Sequence, residues 1–99
     1  MENQHQKIKG YRDLSQVEID LMNEIKAKGA ELGSLVERLF DHTRQQLDQA
    51  SAHGAATGDF SEFERLTNAE PHHWVATGAT NLQQGLMALT RAVAQPTSF

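Results

Sequence analysis

From Val17 onward the apolar residues of this chain recur at helical spacing: Leu21, Met22 and Ile25, then Leu32, Leu35, Val36, Leu39, Phe40 and Leu47. The spacing predicts one long helix over residues 15–49. A second stripe, Trp74, Gly78, Leu82, Leu86, Leu89 and Val93, runs through PHHWVATGATNLQQGLMALTRAVAQ. It predicts another helix over 71–95, with Pro71 in its first turn and Pro96 as its stop. Between the two, Asp59 and Glu62 offer a weaker capping box around Phe60, Phe63 and Leu66, which predicts a short helix over 59–67. ASAHGAATG, residues 50–58, has no apolar period and reads as the loop that ends the first helix. No stretch carries a convincing strand pattern. The expected fold class is therefore all-α, one domain over 1–99: a long antiparallel helical hairpin with a short connecting helix, since so short a link needs no other topology.

The start of the first helix is marked unusually well. Ser15 with Glu18 three positions on forms a capping box, and Leu14 and Ile19 stand at the spacing of a hydrophobic staple, so residues 1–14 form a loop entering the helix on a set course. Gly10 permits a turn or a close backbone approach immediately before Tyr11. Tyr11 thus precedes the helix and Lys26 lies three turns inside it. An aromatic face near an ammonium suits a small phosphorylated ring, because the base stacks and the phosphate is paired. These residues by themselves fit better a Tyr packed on its neighbours and a solvated Lys, the commoner roles of both types.

A helix of roughly 35 residues spans on the order of 50 Å at 1.5 Å per residue, too long for the core of a lone chain of this size. Gly29 and Gly33 interrupt it, each costing about 1 kcal/mol relative to Ala, and a kink or a close helix crossing is the economical explanation. The surface lysines Lys26 and Lys28 have Glu24 and Glu31 as candidate partners, a contact worth only tenths of a kcal/mol, roughly, on a helix surface. Gly78, Gly85 and five alanines give the second long helix a small-residue surface beside its large-residue stripe. More than one packing face is implied, and with it an oligomer, in which the tail PTSF docks through Phe99.

Composition narrows the function. At 99 residues the chain is near the lower end of what buries its own core. It has no cysteine, which removes disulfides and thiolate metal sites and suits a reducing cytosol. No apolar run approaches the ~20 residues of a membrane span, and MENQHQKIKG lacks the apolar core of a signal segment. The formal net charge is −4. Lys7, Lys9 and Arg12 cluster near the start, the middle is acidic, and beyond Pro71 the one charged side chain is Arg91. A partner with a long phosphate backbone needs a basic stripe, so long DNA or RNA is disfavoured, whereas a compact ligand with two or three phosphates needs few cations. His5, His42, His53, His72 and His73 show no metal-ligand spacing. No strained nucleophile elbow and no phosphate loop after a strand is present. The expectation is a protein with no catalytic residues, no metal and no cofactor. Trp74 reads as a core or interface anchor.

Taken together, HQKIKGYRDLSQVEIDLMNEIKAKGAELG and the late run WVATGATNLQQGLMALTRAVAQP resemble the phage-encoded anti-CBASS sponges. These are small helical-hairpin proteins that sequester the cyclic oligonucleotide signals of bacterial defence. The resemblance covers most of the chain outside residues 50–70. It implies a homohexamer in the cytoplasm of an infected bacterium that binds cyclic dinucleotides between protomers, and cyclic trinucleotides at separate sites, without cleaving them. For the dinucleotide it implies that Tyr11 stacks on a purine and Lys26 meets a phosphate. For the trinucleotide it points to His73 and Thr80, with two departures: relatives are expected to carry arginine where this chain has His73, and a basic residue where it has Ala79. Neutral His and Ala supply less charge to a phosphate at pH 7. The leading alternative is a ligand-free helical oligomer, a structural or interaction protein built on the same apolar stripes.

Overall fold

The computed structural model describes residues 13–98. Its helices are α1 (Gln16–Thr57), α2 (Ser61–Ala69) and α3 (Pro71–Ala94), and among the described residues there is no strand. The fold is all-α, a hairpin of two long helices with a short one at the turn.

The capping box at the start of α1 is formed in both directions. The Ser15 backbone N–H donates to Glu18 Oε1 at 2.9 Å, and the Glu18 N–H donates to Ser15 Oγ at 3.2 Å. Two orphan donors of the first turn are thereby satisfied. Leu14 and Ile19, the two staple positions, are both half-buried.

The stretch expected as a loop over 50–58 is helical through Thr57, which corrects the end of the first helix from Gln49. Its small residues serve packing: Ala50 and Gly54 are buried, and a Cβ added at Gly54 would overlap the Phe60 ring. Gly54 is therefore a notch for that ring. Termination comes at Gly58, where φ is +78° and the N–H returns to the Gly54 carbonyl at 2.8 Å, a left-handed cap that costs glycine little.

The second capping box does not form. Asp59 Oδ1 accepts the Ser61 N–H at 3.0 Å, but Glu62 turns instead to Arg65, whose Nε donates to it at 2.9 Å. A nearby guanidinium outcompetes the reach back to the chain entering α2. At the far end of α2, Glu70 takes φ +51° and returns its N–H to the Leu66 carbonyl at 3.0 Å. Pro71 then opens α3, where its missing N–H leaves no bond unmade. Gln95 ends α3 in the same left-handed way ahead of Pro96.

The described residues divide into two packed units: one takes 13–31 and 82–98, the other takes Leu32–Asn81. In the second, Phe40 of α1 and His72 of α3 lie with ring centroids 4.7 Å apart, and the buried Thr43 hydroxyl donates to the Phe40 carbonyl. Leu66 is buried in the same unit, and Phe60 and Phe63 meet edge to face. In the first unit α1 approaches α3 closely at Gly29, where an added Cβ would lie 3.3 Å from Leu86 Cδ1. Gly33 has open space around it, so of the two interrupting glycines only Gly29 marks a close contact.

Among the described residues no large side chain is fully buried, while Val17, Trp74 and Met87 stand 68%, 62% and 70% exposed. One chain leaves much apolar surface in water. No helix among these residues is long and apolar enough to cross a membrane.

Candidate ligand-binding site

A cleft in the first unit contains Lys26. It measures about 610 Å³, within the ~300–1,000 Å³ usual for small-molecule sites, and is lined by Met22, Asn23, Ile25, Lys26, Gly29, Leu86, Met87 and Thr90. Successive turns of α1 supply one wall at helical spacing, since 22, 25, 26 and 29 share a face. The end of α3 supplies the other. Gly29 gives the cleft its depth, because a larger residue there would fill the space in front of Leu86.

The lining is apolar apart from three groups. Lys26 and Asn23 are exposed, one turn apart, at the α1 edge. Thr90 is half-buried, and its hydroxyl donates to the Leu86 carbonyl at 2.9 Å, which leaves its oxygen available as an acceptor. Of the two surface lysines, Lys28 takes the expected partner Glu31 at 3.8 Å. Lys26 makes no ion pair among the described residues. A mobile ammonium over an apolar floor is equipped to meet one phosphate while a flat ring lies on Met22, Met87 and Leu86.

Tyr11, the second residue expected at this site, lies outside the described residues. The capping box and Leu14 fix where the helix that follows it begins.

His73 and Thr80 lie on α3 in the second unit, both exposed. Seven positions apart, they occupy the same face about two turns from one another, with the half-buried Thr77 between them. The His73 ring meets Trp74 edge to face at 5.2 Å. A cleft of about 410 Å³ in this unit is lined by Arg44, Leu47, Glu70 and His72 among others, and neither His73 nor Thr80 lines it. The structure thus gives Lys26 a concave setting and leaves His73 and Thr80 on an open helix face.

Apart from Lys26, none of the eight residues lining the cleft was singled out for a site in the sequence. Asn23 carried a usable signal, being three positions from Lys26 on the same helix. Met87 and Thr90 carried none, because only the pairing of α1 with α3 brings them to Lys26.

The chain matches the family described as Acb2/Tad1, hairpin domain, over residues 3–94. It is also similar to Anti-CBASS protein 2 of Pseudomonas phage JBD67, with 44% identity over 105 aligned positions that cover 97% of each chain. A match of that extent, on a hairpin of two long helices whose first opens with the Ser15 capping box, leaves one assignment: the chain belongs to the Acb2/Tad1 hairpin-domain family.

Proposed function

We propose that the protein sequesters cyclic dinucleotide second messengers and so blocks CBASS anti-phage signalling, binding its ligand without cleaving it. Family membership and a relative named for its action against CBASS support the reading. The observation that carries it is the cleft in which Lys26 stands as the cation over an apolar floor. Tyr11 stacks on a purine and Lys26 pairs with a phosphate. The working form is a homo-oligomer, a hexamer by the resemblance, acting in the cytoplasm of the infected bacterium. Exposed Val17, Trp74 and Met87 give the copies apolar surface to bury against one another.

Sequestration works by mass action: a signal held in the sponge is lost to its effector, and the free signal falls when affinity and protein abundance are both high. A cleft formed before the ligand arrives saves ordering entropy and favours slow release.

The cyclic trinucleotide belongs on the α3 face carrying His73 and Thr80. With imidazole at His73 where the resemblance implies a guanidinium, trinucleotide binding is weaker than in relatives that carry arginine. Calorimetric titration with a panel of cyclic di- and trinucleotides tests the whole reading. Heat for dinucleotides, with the ligand recovered at unchanged mass after denaturation, supports it. No heat for any of them favours the ligand-free oligomer, and a changed mass means catalysis.

A further inference from the structure

The cleft beside Lys26 holds a polar group that phosphate pairing leaves unused. Asn23 sits one turn before Lys26, exposed and lining the same space. Among the polar side chains there, Lys26 only donates, and the Thr90 hydroxyl proton is committed to the Leu86 carbonyl. The Asn23 side-chain amide has no hydrogen-bond partner among the described residues. It therefore presents a donor and an acceptor side by side to whatever lies on the apolar floor.

That pair is what a nucleobase edge requires. Adenine shows a donor and an acceptor at N6 and N7, and guanine shows an acceptor and a donor at O6 and N1. An amide that rotates by half a turn about its last torsion satisfies either. Positions i and i+3 place their β-carbons about 5–6 Å apart, and the long lysine extends that reach, so one nucleotide can span both groups through its base and its phosphate. The remaining lining, Met22, Ile25, Leu86 and Met87, offers contact area and no reading.

We infer that Asn23 is the base-reading residue of the Lys26 cleft, and that its amide fits the cleft to take either adenine or guanine. The inference rests on the sequestering function proposed above. Replacing the amide by a carboxylate keeps shape and removes the donor. A carboxylate matches the two adjacent donors of guanine, N1–H and N2–H, but leaves adenine N7 without a partner. Its repulsion of phosphate falls equally on both ligands and cancels in their ratio.

The test is titration of the full-length protein, wild type, Asn23→Asp and Asn23→Ala, with 3′,3′-cyclic di-AMP and 3′,3′-cyclic di-GMP. The expected result is comparable affinity for both ligands in the wild type, and a shift of at least about tenfold toward di-GMP in Asn23→Asp. Asn23→Ala should weaken both by roughly fivefold or more, with helix content and oligomer mass unchanged. An unshifted ratio in Asn23→Asp, or unaltered affinities in Asn23→Ala, overturns the inference while the sponge reading stands. A wild type that binds neither ligand overturns the inference, and the sponge reading falls with it only if the wider panel of cyclic di- and trinucleotides is silent as well.

Discussion

Gly29 of α1 lies directly against Leu86 of α3, so close that a β-carbon on the glycine would stand 3.3 Å from Leu86 Cδ1. Both residues line the Lys26 cleft. The same contact that brings the helices together thus sets the depth of the space available to a ligand. Leu86 is half-buried and meets Gly29 with the end of a flexible side chain, so it can give by a few tenths of an ångström. Gly29→Ala should therefore fold as well as the wild type or gain up to about 1 kcal/mol from helix propensity. Gly29→Leu should fill the cleft and remove ligand binding. Urea melts and calorimetry of the two variants check the pair of outcomes.

Gly54 presents the opposite case. Its missing β-carbon is occupied by the Phe60 ring, which belongs to the turn between α1 and α2. Gly54→Ala should destabilise by about 1–3 kcal/mol, the usual cost of overpacking, despite alanine's better helix propensity. Gly54→Ala combined with Phe60→Leu should recover part of the loss. A denaturant midpoint for each variant measures this directly.

The α1 start makes a local prediction. Ser15→Ala removes the oxygen that accepts the Glu18 N–H and should cost about 1 kcal/mol, with Glu18→Gln costing less because a neutral amide can still accept from the Ser15 N–H. Amide hydrogen exchange should rise in the first turn of α1 and remain unchanged around Leu66.

The α1–α2 corner carries the acid dependence. The Ser61 hydroxyl, then its backbone N–H, hold Asp59 below its ordinary 3.8, and the Arg65 guanidinium holds Glu62 below its ordinary 4.5. A carboxylate whose folded pKa is depressed contributes stability that is full above the unfolded value and is lost as pH falls through the folded one. Between pH 7 and 5 these two groups should contribute unchanged, and below about 4.5 their contribution should decline. The readout is the difference in thermal midpoint between wild type and the Asp59→Asn, Glu62→Gln double variant. It should shrink on acidification from pH 5 to 3, and a difference that grows would contradict the assignment.

How much of this was legible in the sequence depends on how local the cause is. The Ser15–Glu18 box and the stop of α3 before Pro96 involve residues within one turn, and both could be read from their types. The stretch 50–58 misled because Ala and Gly, in the absence of an apolar period, suggest a loop. What made Gly54 helical and buried was Phe60, whose position against α1 depends on how the chain turns after Gly58. The cleft divides the same way. Asn23 and Lys26 share a helix face by spacing alone, while Leu86, Met87 and Thr90 join them only through the pairing of α1 with α3. Tyr11 rests on family resemblance, since it lies outside the described residues.

The central claim is that Lys26 holds a phosphate of a cyclic dinucleotide in this cleft. Calorimetric titration of a 3′,3′-linked cyclic dinucleotide into wild type, Tyr11→Ala and Lys26→Ala, each first confirmed at the same oligomer mass, tests it most directly. Tight binding by the wild type and a loss of at least about tenfold in Lys26→Ala, the scale of one charge-assisted hydrogen bond, is the predicted result. Undiminished affinity in Lys26→Ala would contradict it.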